Sequence, residues 1–331
     1  MKDYPTGKVT ATAHANIALV KYWGKRSVDK NLPAVGSISL TLDALKTTTS
    51  LEVSASYDDQ FFLNGNPAGE KQAKKVSAFL DLAAGSIKRP SLVIRSENNF
   101  PTGAGLASSA SGFAALAGAA SRIFGKDESP ETLSRLSRQG SGSAARSVYG
   151  GFVEMKKGSG TNDDEDYAIQ LHDKNYLDLR LLIAVVSDEA KKIGSTEGMN
   201  RTAETAPFYQ SWVESSEKDL ADMRSALQKG DFRKIGSITE HSCFKMHGLA
   251  MAANPPLLYW IPATVESIQA VWGLRSKGIQ AFVTIDAGPQ VKVLCLPQDS
   301  GIIRETLNSI DGVKTVIEAR PGPGISVSSS N

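Results

Sequence analysis

Between Pro101 and Gly112 the chain strings together Gly103, Ala104, Gly105, Leu106, Ala107, Ser108, Ser109, Ala110 and Ser111, then enters an apolar, helix-like run from Phe113 to Ile123. A turn with so little side-chain bulk, opening straight into a helix, constrains the fold, because the backbone there must come close to something. Two partners satisfy that demand. One is an anion: the unpaired N–H groups at a helix start lie at the positive end of its dipole and hold phosphate, with Ser108, Ser109 and Ser111 supplying hydroxyls to the phosphate or to a magnesium ion. The other is a neighbouring element packed tightly against small residues. The Gly-Lys-Ser/Thr ending of a Walker loop is missing, and the glycines do not follow the Rossmann spacing.

The rest of the composition narrows the partners. With 331 residues and 41% hydrophobic content the chain is long enough for two packed domains. Its 37 Lys+Arg barely exceed its 35 Asp+Glu. There is no long basic run with interleaved aromatics, so no nucleic-acid partner is expected and any taste for anions must be local. No apolar run reaches the ~18 residues of a membrane span, and the opening residues lack the apolar core of a signal peptide. A cytoplasmic protein without a membrane partner is expected. Cys243 and Cys295 form no CxxC pair, which fits a reducing compartment. His14, His172, His241 and His247 lack the i, i+4 spacing of a helical zinc site, so any metal is expected to arrive with a nucleotide.

Periodicity predicts an α+β chain. Strands are expected over 8–14, 37–42 and 47–56, a hairpin tip at Asn64-Gly65-Asn66, a helix over 70–84 and a short strand over 91–96. The small-residue turn opens a helix over 106–124, another covers 130–138, and strand resumes at 150–155. The polar stretch 156–166 reads as an exposed, flexible connection. A near-continuous apolar strand at 179–186 precedes helices over 210–229, 231–251 and 262–277, strands over 280–285 and 291–296, a helix over 300–310 and a strand over 313–319. The order β, helices, β, β, α, β is that of a split βαβ, ferredoxin-like sandwich with inserted helices. A boundary near 187 divides the chain into 1–187 and 188–331, and the Pro/Gly/Ser-rich end from 321 reads as a loosely held tail.

Three further segments carry charge into otherwise apolar or glycine-rich surroundings. In Asn16-Ile17-Ala18-Leu19-Val20-Lys21-Tyr22-Trp23-Gly24-Lys25-Arg26 an apolar strand ends in three cations, which suits a solvated strand end as well as an anion site; Tyr22 could add a hydroxyl to the latter. Gln139-Gly140-Ser141-Gly142-Ser143-Ala144-Ala145-Arg146-Ser147 by itself fits best an ordinary helix start, with Ser141 or Ser143 as cap, the other reading being a bidentate arginine clamp on a carboxylate or phosphate. At Thr284-Ile285-Asp286-Ala287-Gly288-Pro289 a carboxylate follows an apolar strand, where it can be a turn residue or a general base.

Taken in order, Asn16-Ile17-Ala18…Lys21-Tyr22-Trp23-Gly24-Lys25, Phe100-Pro101-Thr102…Gly105-Leu106-Ala107-Ser108-Ser109-Ala110, Gly140-Ser141-Gly142-Ser143-Ala144…Arg146-Ser147 and Asp286-Ala287-Gly288-Pro289 resemble the signatures of the diphosphomevalonate decarboxylases, a family of the GHMP small-molecule kinase superfamily. The resemblance spans the chain. It implies a two-domain GHMP kinase fold: an N-terminal ribosomal-protein-like βαβ domain, a C-terminal ferredoxin-like α/β sandwich, and a nucleotide cleft between them. It also implies a homodimer.

The implied reaction is phosphorylation of the tertiary 3-hydroxyl of mevalonate 5-diphosphate by ATP with Mg2+, then loss of phosphate and CO2 to give isopentenyl diphosphate on the mevalonate route to isoprenoids. Carried over residue by residue, Asp286 stands beside that hydroxyl, Arg146 clamps the carboxylate and Lys21 lies near the transferred phosphoryl group. Tyr22, Lys25, Ser141, Ser143 and Ser195 become diphosphate contacts. Gly103, Gly105, Leu106, Ala107, Ser108, Ser109 and Ser111 become the ATP-phosphate loop, with Ser109 also the metal-facing hydroxyl. Some relatives carry an arginine where Thr196 stands. Sister activities, a mevalonate 5-phosphate decarboxylase or a mevalonate 3-kinase, are the nearest alternatives; a non-catalytic nucleotide-binding regulator is the alternative from another class.

Overall fold

The computed structural model describes residues 7–100, 108–160, 165–189 and 191–330. Gly103, Gly105, Leu106 and Ala107 of the expected phosphate loop lie outside them.

Strand β1 (Lys8–Val20) shows how the sequence builds the first half. Its first residues alternate between buried and half-exposed, as in a sheet with one covered face, and from Ala15 onward every position is buried. It pairs antiparallel along β4 (Ser37–Val53), with irregularities between His14 and Asn16 and between Ala18 and Val20. The small hairpin β2 (Lys25–Ser27) and β3 (Leu32–Pro33) lies between them in sequence. One large sheet runs β14 (Ser326–Ser330), β1, β4, β7 (Leu92–Asn98), β5 (Gln60–Leu63), β6 (Asn66–Pro67), and β8 (Phe152–Met155) with β9 (Ala168–His172) branches from the start of β4. Helices α1 (Glu70–Ala84), α2 (Ser108–Ile123) and α3 (Pro130–Gly140) belong to this half. The alanines 110, 114, 115, 117, 119 and 120 of α2 are all fully buried, which lets the helix lie close against β1 and β4. A 3-10 turn over Gly142–Val148 follows α3.

The second sheet is antiparallel in the order β11 (Ala281–Ile285), β12 (Val291–Cys295), β10 (Arg180–Val185), β13 (Thr315–Ala319). Helices α4 (Ser195–Thr205), α5 (Tyr209–Gln228), α6 (Phe232–Met251) and α7 (Pro262–Ser276) enter between β10 and β11, and α8 (Ser300–Asn308) between β12 and β13. Helices α5 and α6 pack on each other and against β1, and α6 also packs on β11. One apolar cluster therefore joins Ile17, Leu19 and Ile38 of the large sheet to Ile183, Leu220, Phe282 and Leu294 of the second half.

The change of sheet falls between His172 and Arg180, because β10 pairs with β12 and β13. Several expectations need correction. The expected strands 37–42 and 47–56 are one long strand to Val53: the chain stays extended between them, and Asp43 accepts a hydrogen bond from the backbone of Arg320 at 2.7 Å. The end of the chain is no loose tail. Pro321 bridges to Leu42, and β14 covers the free edge of β1, whose N–H and C=O groups need partners. The 156–166 stretch is tied down at its far end, where fully buried Asp166 takes Arg26 in a bidentate pair and accepts from the N–H of Gly158. Helix α4 and strand β9 went unread. Only Gly198, Met199 and Thr202 of α4 are buried, too few for an apolar stripe.

Candidate active site

The end of β1, the turn after β11, the 3-10 turn and the first residues of α2 meet around one cavity of about 560 Å3. Lys21, Tyr22, Lys25, Ser108, Ser109, Ser141, Ser143, Arg146, Ser195 and Asp286 all line it. Residues separated by up to 265 positions are thus neighbours.

Lys21 leaves β1 nearly inaccessible, at 1% exposure. Its Nζ donates to Asp286 Oδ1 at 2.7 Å, and its backbone N–H is held by Ser242 Oγ on α6 at 2.9 Å. Asp286 sits directly after β11, with its other oxygen 3.3 Å from Nζ of fully buried Lys292. Burial alone would raise the carboxyl's pKa. The ammonium groups of Lys21 and Lys292 outweigh that and hold it well below the usual carboxylate range.

Arg146 is buried in the 3-10 turn with two of its nitrogens already engaged: Nε donates to Asn16 Oδ1 at 3.1 Å and Nη1 to Ser37 Oγ at 2.6 Å. Asn16 is itself fixed, donating to Ser147 Oγ and the Ser143 carbonyl. Burial lowers the guanidinium pKa to about 10, which leaves it charged at neutral pH. The Tyr22 ring lies 5.9 Å from that guanidinium. Its hydroxyl is buried without a hydrogen-bond partner among the described residues, and burial pushes its pKa above the ordinary phenol value, so it stays a donor. Gly142 is required beside it, since a Cβ there would stand 2.4 Å from the Tyr22 hydroxyl oxygen.

Lys25 donates to Asn31 Oδ1 at 2.6 Å and lies 3.4 Å from Thr196 Oγ1; burial, aided by nearby Lys75, draws its pKa down to about 8. The hydroxyls of Ser109, Ser141 and Ser143 form a row at 3.4 and 3.3 Å. Ser195 opens α4 and accepts from Lys191 Nζ at 2.8 Å. Ser111 does not belong to this set. It is fully buried, facing the sheet with its hydroxyl 2.7 Å from that of Thr47, because position 111 falls on the packed side of α2.

Sequence reading missed Lys75 and Lys191, which also line the cavity, and Lys292 behind it. Lysines in polar stretches carry no local mark; Lys292, alone among Val291, Val293 and Leu294 in a fully buried strand, does. Among the described residues, the lining thus sets five cationic side chains, Lys21, Lys25, Lys75, Arg146 and Lys191, against the single carboxylate of Asp286. Such a chamber favours a ligand with several negative charges. A smaller cavity of about 240 Å3 adjoins it, sharing Lys75, Ser108 and Ser109, with Phe61, Leu63, Ile94 and Phe113 among its apolar walls. Among the described residues no cluster of three or more His, Cys, Asp or Glu side chains could hold a metal.

Two family models cover most of the chain: the diphosphomevalonate decarboxylase-like N-terminal domain over residues 13–168 and the mevalonate 5-diphosphate decarboxylase C-terminal domain over residues 181–321. The chain belongs to the diphosphomevalonate decarboxylase family. A diphosphomevalonate decarboxylase of Aspergillus fumigatus is 35% identical over 97% of this chain and 84% of its own length. MDDEF, solved in complex with MVAPP, AMPPCP and magnesium, is 41% identical with a TM-score of 0.91 over 98% of this chain and 99% of its own. Mevalonate diphosphate decarboxylase from Staphylococcus aureus is 36% identical with a TM-score of 0.91 over 97% and 98%. This diphosphomevalonate decarboxylase family member shares their two-domain GHMP kinase fold.

Proposed function

We propose that the chain catalyses ATP-dependent decarboxylation of mevalonate 5-diphosphate to isopentenyl diphosphate, releasing ADP, phosphate and CO2. The observation that carries this reading is the cavity itself, whose five cations and one ion-paired carboxylate suit a substrate bearing a diphosphate and a carboxylate beside a second polyphosphate. Membership of the family supports it, as does the likeness to a relative that binds MVAPP together with AMPPCP and magnesium.

In this reading Tyr22, Lys25, Ser141, Ser143 and Ser195 hold the diphosphate, and Arg146 holds the carboxylate. Arg146 is already fixed by Asn16 and Ser37, so it aligns the carboxylate rather than seizing it. That matters because tight binding of the starting carboxylate would slow its loss. Ser108 and Ser109 contact the ATP phosphates, and Ser109 offers its hydroxyl to Mg2+ carried by the nucleotide, which would neutralise phosphate charge. Asp286, clamped by two ammonium groups, is a weak base; it accepts the hydrogen bond of the tertiary hydroxyl and aims it at the γ-phosphorus. The O–P bond forms as the bond to ADP breaks, and the hydroxyl proton, acidified by that bond, passes to Asp286 late in the step. Lys21 stabilises the transferred phosphoryl oxygens. The tertiary phosphate then leaves with the C–O electron pair, and the electrons of the carbon–carboxylate bond form the alkene as CO2 departs.

Purified protein given mevalonate, its 5-phosphate and its 5-diphosphate in turn, with ADP and CO2 followed together, tests this. Equal release of both from the diphosphate is expected; ADP without CO2, a preference for the monophosphate, or no turnover would overturn it. In the same assay Asp286→Asn should lose turnover by roughly a thousandfold or more while still binding an ATP analogue.

The reading extends to a cytoplasmic homodimer. No helix of the described residues is long and apolar enough to cross a membrane, and Ile261, Val265 and Trp272, exposed at the start and along one side of α7, supply an apolar face. Light scattering after size exclusion reads the mass directly, and a monomer at micromolar concentration would contradict it.

A further inference from the structure

Lys292 occupies an unusual position. It lies on β12, an interior strand of the second sheet, opposite Thr284 of β11 and Ile183 of β10, and is 0% exposed. Taking an ammonium group out of water on such a strand costs several kcal/mol unless a counter-charge meets it. Asp286 Oδ2 stands 3.3 Å from its Nζ. Burial pulls the Lys292 ammonium below its ordinary range and Asp286 opposes that pull, so each group's charge depends on the other's.

The two lysines on Asp286 are not equivalent. Lys21 holds Oδ1 and lines the cavity, whereas Lys292 holds Oδ2 and lies behind the cavity wall. A carboxylate held from one side only would lose its partner whenever that partner turned to a ligand. We propose that Lys292 is a positioning residue: it anchors Asp286 from behind, so that Lys21 can release Oδ1 and turn to the transferred phosphoryl group while Asp286 stays in place and ionised. This rests on the roles given above to Asp286 and Lys21.

The remaining charged or titratable neighbours leave Asp286 as the group to watch on the acid side. Lys191 and Arg146 face it as cations across the cavity. From α6, Cys243 has its thiol pushed up to about 11 by burial, and His247 has its imidazole brought down to about 3, also chiefly by burial, so both stay neutral over an ordinary assay range. Loss of the Lys292 charge therefore raises the pKa of Asp286 and brings an acid limb into the measurable range.

Lys292→Met tests this against the parent enzyme, with kcat and KM for both substrates followed from pH 5 to 9. The expected result is a fall in kcat of roughly 10- to 100-fold at pH 7, both KM values within about threefold, and an acid limb in kcat appearing inside the assay window, where the parent enzyme shows none. Lys292→Arg, which keeps the charge, should restore much of kcat and take the limb back out of the window. A parent-like rate and pH profile in Lys292→Met would overturn the proposal, as would a variant whose melting temperature falls with no acid limb appearing. Should Lys292→Met not accumulate as folded protein, Lys292→Gln is read by the same outcomes. Absence of decarboxylation by the parent enzyme would instead overturn the functional reading beneath it.

Discussion

At the scale of single residues, the site is built by preplacement. Arg146 spends Nε and Nη1 on Asn16 and Ser37 before any ligand arrives, so its truncation removes alignment more than affinity. Arg146→Ala should lower kcat by about 100-fold or more while KM for the diphosphate substrate changes by less than about tenfold, as steady-state kinetics would show. A large rise in KM with kcat intact would assign it to binding instead. Lys25 gives the site a basic limit. Burial lowers its pKa to about 8, so its charge is fully present well below that pH and is lost as pH rises through it. KM for the diphosphate substrate should therefore climb above pH 8, and Lys25→Met should have a high KM lacking that rise; a parent KM flat to pH 9.5 would remove Lys25 from the diphosphate site. Lys21, Arg146 and Asp286 were legible because each interrupts an apolar or glycine-rich run. Lys75 and Lys191 were not, since lysines in polar stretches look alike until the fold aims them.

Among elements, those with strong periodicity were read closely and those defined by pairing were not. Helix α1 spans its expected residues, and, α4 apart, the strands and α-helices from β10 to β13 deviate by only a residue or two at their ends. The misread ones share a cause. Strand β14 is all serine but for Val327, and its pairing with β1 and the packing of Ile325 and Val327 over Gly118 make it a strand. An added Cβ on Gly118 would meet Ile325 at 2.5 Å, which shows how closely the last strand lies on α2. Deleting residues 325–331 should cost about 1–3 kcal/mol, seen as a lower melting temperature, and should promote aggregation through the bared edge of β1. An unchanged melting temperature would return this segment to the status of a loose end.

For the whole molecule, the two sheets share an apolar cluster besides the one each keeps on its other face, with Leu19 and Ile38 meeting the same core as Ile183, Leu220 and Phe282. Differential scanning calorimetry should accordingly show one cooperative transition, whereas two well-separated transitions would mean that the halves are independent. That shared core also keeps Lys21, on one sheet, at hydrogen-bonding distance from Asp286, on the other. The sequence by itself determined the α+β alternation, the place of most elements and the chemistry of four motifs, because periodicity, small-residue turns and isolated charges are local properties of a chain. Only the tertiary structure decided where the sheets change over, that the last strand closes the first, that Ser111 faces the packed side of α2, and that Lys191 and Lys292 join the site. Those outcomes depend on contacts between residues far apart in sequence, and no local pattern encodes which surfaces meet when two sheets bury a common core.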